Sequence, residues 1–311
     1  MNAHFLDIDI RDVTHGQDIA DILKEKVIVV LKNQTKATGH FTNFVSKIGP
    51  IANWSHMAFD PITGEDKHSF EKFVSPEEWG DWDTYPVQRV TGEKVNGKMS
   101  GIFGSGKLDW HANLNGPTRA DGVALQGYRD CENTSTSWVN TNKAYNEMPQ
   151  ELIDRCEGVY AEYQYSPENW AGDKETVSMI TQHVPGKFRG RTKYKMWLIQ
   201  ENAAGYKGIY FYTNNDCKII TNDTKLYDDL YDHIFQEKYM YTHMYEVGDI
   251  VLSDQLLSLH KRDQNDEETL SKRVLHRITF GLSNTKDRKW IEEKNIIHDE
   301  PSEIFWHDLP A

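Results

Sequence analysis

The sequence predicts a mainly β, α+β protein: a double-stranded β-helix, or jelly-roll, core flanked by helices. Short β-branched and aromatic runs bounded by Gly, Asn and Asp recur through the middle and the end of the chain. Helical spacing of apolar residues is confined to a few scattered stretches, without the regular strand–helix alternation of a doubly wound sheet. A strand-rich chain of this kind buries its faces by folding two sheets onto one another. No repeat, low-complexity segment or Pro/Ser-rich linker divides the 311 residues, so residues 1–311 read as one domain.

Taken in order, Ile19, Ile22 and Leu23 recur at helical spacing, and Val27 to Leu31 (V-I-V-V-L) is a continuous apolar run suited to a buried strand. Phe41, Phe44, Val45 and Ile48 mark a second helical face, ended by Gly49-Pro50. Residues 122–128 (G-V-A-L-Q-G-Y) and 208–212 (G-I-Y-F-Y) read as strands. Pro149 opens a helix whose Leu152, Ile153, Cys156, Val159 and Tyr160 share a face. Leu226, Leu230 and Ile234 mark a later helix. V-G-D at 247–249 turns the chain into a strand, and 274–282 (V-L-H-R-I-T-F-G-L) alternates as another.

Composition excludes several classes. A net charge of −13 opposes nucleic acid and anionic membranes as partners, and no apolar run is of membrane length. The start of the chain lacks a basic segment followed by an apolar one, so a cytoplasmic protein is expected. Cys131, Cys156 and Cys217 are too few and too separated for a disulfide framework or a metal knuckle, and read as buried or idle thiols. The basic run Lys187 to Lys195 alternates like a strand with a solvated face. Gly101 to Lys107 (G-I-F-G-S-G-K) has the spacing of a phosphate loop, but Leu108 stands where a hydroxyl should hold magnesium, and the stretch reads as a turn.

The chemistry centres on L-D-W-H-A-N, residues 108–113. In a regular strand Asp109, His111 and Asn113 face one side. A His-x-Asp or His-x-Glu pair with a distant second histidine is how a β-scaffold gathers two imidazoles and a carboxylate on one face of Fe(II), leaving positions open for oxygen and cosubstrate. His260, in S-D-Q-L-L-S-L-H, is the candidate second histidine. Beyond it, Arg273 and Arg277 lie on one face of a strand, either gripping carboxylates or serving as ordinary surface cations. Trp110 and Trp138 read either as pocket walls or as core.

In sum the chain resembles the TauD/TfdA family of Fe(II)- and 2-oxoglutarate-dependent dioxygenases. The likeness runs nearly end to end: V-I-V-V-L-K-N-Q (27–34), F-V-S-K-I-G-P-I (44–51), L-D-W-H-A-N-L-N-G against the family's W-H-x-D, and E-N-T-S-T-S-W (132–138) against its G-G-D-T-x-W. V-G-D-I-V-L-S-D-Q-L-L-S-L-H resembles its G-D-x-x-x-W-D-N-R-x-x-x-H, and K-R-V-L-H-R its R-x-x-x-R strand. The resemblance implies His111, Asn113 and His260 around the metal, and Arg273 with Thr136 on the distal carboxylate of 2-oxoglutarate. It places Arg277 where some members bind an anionic substrate group, and Asn53, Trp54 and His56 in the substrate-covering loop. It implies hydroxylation of a C–H bond in a small anionic or amino-acid-like substrate, with O2 consumed and succinate and CO2 released, and self-association of the kind common in relatives.

Asn113 departs from the pattern, standing where the family has a carboxylate. Four readings follow: a neutral third ligand in an active oxygenase; a carboxylate supplied by Asp109; an open position for chloride, as in related halogenases; or a disabled, substrate-trapping binding variant. Arginine and threonine retained for the cosubstrate favour the active oxygenase, and the bulk of Asn relative to Gly or Ala counts against the halogenase.

Overall fold

The computed structural model describes residues 2–53, 72–74, 87–95, 98–99, 101, 103–104, 107–113, 120–164, 193–214, 217–263, 266–282, 291 and 294–297. The protein is mostly sheet with few helices. An eight-stranded sheet runs in the order His4–Leu6, Ile28–Leu31, Ile250–Asp254, Gly122–Arg129, Val274–Phe280, Ile51–Asn53 and Lys72–Val74, with Gln88–Val90 also paired to Val274–Phe280. A four-stranded sheet runs Met240–Met244, Ser135–Asn140, Ser258–Arg262 and Leu108–His111, antiparallel throughout. A third sheet orders Cys217–Ile220, Tyr160–Gln164, Lys193–Trp197 and Ile296–Ile297.

The continuous apolar runs are explained by burial on both faces. Within Ile28–Leu31, Val29 and Leu31 join the core cluster that holds Ile19, Leu23, Phe41, Phe44, Val45 and Ile48 of the helices Gln17–Lys26 and Thr38–Ile48. Ile28 and Val30 belong instead to a second cluster, shared with Trp110, Trp138 and Leu259 of the four-stranded sheet. Val251 and Leu125 alternate with Ile250, Leu252 and Ala124 in the same way, so the large sheet is sandwiched between helices and the smaller sheet.

Two glycines set the chain's direction. Gly248, at φ +92°, makes the V-G-D turn that returns Met240–Met244 into Ile250–Asp254, and a Cβ there would meet the Gln34 carbonyl oxygen at 2.2 Å. Gly158, at φ +69°, corrects one expectation. The helix after Pro149 spans only Gln150–Cys156, because this left-handed residue ends it, and Tyr160 enters a strand opposite Trp197 and Ile220. Likewise the strand expected over 208–212 stops at Ile209. Tyr210 and Tyr212 are buried beyond it, their hydroxyls 2.8 Å apart.

Of the stretch Gly101 to Lys107, residues 102, 105 and 106 lie outside the described residues, and Lys107 is followed by the strand Leu108–His111 and not by a helix. Of the basic run, residues 187–192 lie outside the described residues, and Lys193–Trp197 is a strand. Cys131 and Cys156 are buried and Cys217 is partly buried, and none of the three is in a disulfide. No helix among the described residues is long and apolar enough to cross a membrane.

Candidate functional site

Register brings the two histidines together. Leu108–His111 and Ser258–Arg262 are antiparallel neighbours in which His111 lies directly opposite His260, and their ring centroids are 4.3 Å apart. The His111 Nδ1–H donates to the Asp109 carbonyl oxygen at 2.7 Å, which leaves Nε2 with its lone pair free. His260 Nε2 lies 3.0 Å from Asn113 Nδ2, an N–H donor, so this nitrogen too is the unprotonated one. Its Nδ1 is buried without a hydrogen-bond partner.

Both rings are held neutral. Burial pushes His111 down to about 4, aided by the charges of Arg277 and Arg262 and opposed by the Asp109 carbonyl. Burial lowers His260 further, with His111 and Arg277 adding to the effect. Two neutral imidazoles, each with an unprotonated Nε2, are the form in which histidine takes a metal.

Asp109 does not supply the missing carboxylate. Pairing is irregular between His260 and Arg262, the expected face is lost there, and the Asp109 side chain is 46% exposed beside Lys107 Nζ at 2.9 Å. Among the described residues no third His, Cys, Asp or Glu joins the histidine pair. Asn113 is therefore the polar side chain that stands next to it.

These groups open onto a cavity of about 50 Å³ between the two sheets. That is room for about three or four waters, or for a small organic acid in their place. The smaller sheet lines it with His111, Thr136, His260 and Arg262, and the large sheet with Leu125, Leu275 and Arg277, while Arg273 and Asn113 complete it. Arg273, Leu275 and Arg277 thus share a face as their spacing predicts, and that face is interior: Arg273 is 1% exposed and Arg277 4%. The surface-cation reading is set aside.

Arg273 is a buried cation with Nε unpartnered, and among the described residues no carboxylate pairs with it. Burial pushes its guanidinium down to about 10. Thr136 faces the same cavity, and its Oγ1 accepts from the Tyr245 hydroxyl at 3.4 Å, so its own proton stays available to donate. A cation and a hydroxyl donor converging without an anion are what a carboxylate would satisfy.

The sequence passes over Arg262, although it stands two residues after His260 on the same strand, where the alternation rule could have found it. It is 4% exposed, donates through Nη1 to the Phe103 carbonyl, and burial together with Arg273 pushes it down to about 9. Trp110 and Trp138 belong to the core and not to the cavity wall. Trp110 stacks on Phe235 at 5.1 Å, and Trp138 lies opposite His260 with ring centroids 6.5 Å apart. Trp54 and His56 lie outside the described residues, and Asn53 ends the strand Ile51–Asn53.

A paired-histidine site between two sheets, beside buried arginines, is the arrangement of the 2-oxoglutarate-dependent dioxygenase fold. The model of the family "Taurine catabolism dioxygenase TauD, TfdA family" matches residues 2–279, and the chain belongs to that family. Its enzymes use Fe(II) and 2-oxoglutarate.

Solved structures agree on the fold. AAD-2, crystallised with Mn(II) and N-oxalylglycine, is 15% identical with a TM-score of 0.62, over 91% of this chain and 94% of that one. A taurine dioxygenase from Burkholderia xenovorans is 15% identical with a TM-score of 0.56, over 96% and 92%. The PvcB protein of Pseudomonas aeruginosa is 11% identical with a TM-score of 0.58, over 94% and 87%. No curated protein matches the chain.

Proposed function

We propose that the protein is an Fe(II)- and 2-oxoglutarate-dependent oxygenase that hydroxylates a C–H bond of a small anionic or amino-acid-like substrate, releasing succinate and CO2. One observation carries the reading: His111 and His260, each with an unprotonated Nε2, line a cavity together with the Thr136 hydroxyl and Arg273, which has no carboxylate partner among the described residues. The two imidazoles would hold the metal, with the Asn113 amide beside them. The metal and cosubstrate together supply the oxidising power.

The chain's own residues bind and orient. Arg273 takes the distal carboxylate of the cosubstrate through two parallel hydrogen bonds, and Thr136 donates a third. Arg277, within the strand that follows Arg273, faces the anionic group of the substrate. Leu125 and Leu275 keep water from the reacting carbon. The two sheets are read as the double-stranded β-helix expected of the family, with residues 1–311 as one domain. Chloride has no support in the geometry, since the Asn113 amide fills the place beside His260 that a smaller residue would leave open.

Anaerobic titration with Fe(II) and 2-oxoglutarate tests the proposal. A visible charge-transfer band in the wild type, lost in His260→Ala, and succinate formation in air are expected. Failure to bind either metal or 2-oxoglutarate overturns it.

A further inference from the structure

The orientation of Asn113 is fixed by atoms that allow no ambiguity. Its backbone N–H can only donate, and it lies 2.9 Å from one side-chain atom of Gln255, which must be the oxygen Oε1. The Asn113 side-chain atom 3.3 Å from that same oxygen must then be the nitrogen, because two amide oxygens would repel. The other end of Gln255 agrees, with Nε2 donating to Ser253 Oγ at 2.8 Å.

Both sides of this contact are anchored. Gln255 is fully buried, its backbone N–H donates to the Asp121 carbonyl at 2.8 Å, and Asp254 Oδ1 accepts from the backbone N–H of Leu256 and Leu257. Opposite, the Ala112 carbonyl accepts from the Tyr212 hydroxyl at 2.8 Å, and Thr213 N–H donates to the Trp110 carbonyl. The amide at 113 therefore turns its nitrogen to Gln255 and to His260 Nε2, 3.0 Å away.

A carboxylate at 113 would set oxygen against the Gln255 oxygen. Turning Gln255 over would set its NH2 against the backbone N–H of Asn113. In each arrangement like groups face each other in a half-buried place. The turn at 253–257 is matched to an amide.

We propose that Gln255 is a positioning residue that holds Asn113 as a hydrogen-bond donor at the metal corner, so that Asn113 serves the site through its N–H and not as an oxygen ligand. The third protein position on the metal is then left to an oxygen atom of cosubstrate, substrate or water, which the Asn113 N–H can hold. The metal part of this inference rests on the proposed function; the Gln255 contact stands in metal-free protein.

Two measurements separate these parts. In metal-free protein with 15N-labelled side-chain amides, the Asn113 NH2 exchanges with solvent slowly. Losing one such hydrogen bond in Gln255→Leu speeds that exchange by about tenfold. Gln255→Glu keeps an acceptor in place and holds the rate within about threefold of wild type. Unchanged exchange in Gln255→Leu, or equal acceleration in Gln255→Glu, overturns the Gln255 contact.

Co(II) affinity then tests the donor role. Asn113→Ala stays within about threefold of wild type if the amide is a donor, whereas loss of a ligand weakens binding by about tenfold or more and refutes it. Absence of any Co(II) binding by the wild type refutes the metal reading and the donor role with it, while the exchange rates still decide the Gln255 contact.

Discussion

Replacing Arg273 by Met should stabilise the free protein and abolish its response to cosubstrate, two effects of opposite sign. The guanidinium is 1% exposed, lacks a carboxylate partner among the described residues, and is pushed down from 12.5 to about 10 by burial. A depressed cation holds its proton less firmly in the folded state than in the unfolded one, so at neutral pH its charge works against folding. Each pH unit corresponds to about 1.4 kcal/mol, which sets a ceiling of about 3.4 kcal/mol, and water in the cavity lowers the expected gain to about 1–3 kcal/mol. Met has similar length and fills the space. With 2-oxoglutarate at about one hundred times its dissociation constant, the wild type gains about 2.7 kcal/mol from binding. The variant, deprived of a charge-assisted pair worth about 1.5–3 kcal/mol, binds about 10- to 150-fold more weakly. Thermal melts of both proteins with and without 2-oxoglutarate read both effects at once. A variant that melts several degrees below wild type yet keeps the full ligand shift would refute the assignment of Arg273 as a cavity cation awaiting an anion.

Three further outcomes follow from the geometry. Gly248→Ala should destabilise by about 2 kcal/mol or more, since φ is +92° and the new Cβ would sit 2.2 Å from the Gln34 oxygen; a loss under about 0.5 kcal/mol in urea unfolding contradicts the turn. Asp254 is raised to about 7 by burial and by Asp121, so the folded state binds a proton that the unfolded chain releases near 4. Its stabilising contribution is therefore complete below about pH 4 and declines as pH rises to about 7, by up to about 4 kcal/mol. The stability difference between wild type and Asp254→Asn should follow that slope, and a carboxyl 13C midpoint below about 5 contradicts it. For His111, lowered to about 4 by burial, the imidazole stays neutral where an ordinary histidine charges. Co(II) affinity should hold level from pH 7.5 to about 5.5, and a decline centred near 6.5 would show unshifted histidines. The same lowering makes acid oppose folding, because the unfolded chain takes up protons from about 6.5 downward and the folded one only near 4.

Much of this was legible where a single period or register decides the outcome. The run Val27 to Leu31 had to be buried on both faces, and the helices at Ile19 and Phe41 supply one of its two covers. Arg273 and Arg277 share a face because strand spacing puts them there. What escaped depends on irregularity or on distance in sequence. Asp109 leaves the face of His111 because pairing slips between His260 and Arg262, and no residue pattern announces that slip. Gly158 could have shortened the helix after Pro149, since a glycine two residues past Cys156 is an ordinary stop signal overridden by the apolar spacing of Val159 and Tyr160. The Gln255–Asn113 contact spans 142 residues and exists only because a turn after one strand meets the end of another.

The neutral residue at 113 acquires its meaning from the charges around it. Among the described residues the lining of the cavity includes three guanidiniums, of which Arg273 has its Nε unpartnered, two imidazoles held neutral and no carboxylate, while the whole chain carries a net charge of −13. A dication entering that space would meet repulsion from the buried Arg273 that a carboxylate at 113 would have offset. Metal binding should therefore be weak in the empty protein and strengthened by a dicarboxylate that neutralises Arg273 as it chelates. Reciprocity then requires that metal strengthen dicarboxylate binding by the same factor. A large polyanion is turned away by the acidic exterior, whereas a small dianion, once inside, is screened little by salt. Cosubstrate and metal are expected to load together, and Co(II) titrations with and without N-oxalylglycine measure that coupling. Equal Co(II) affinity in both would mean that Arg273 does not oppose the metal.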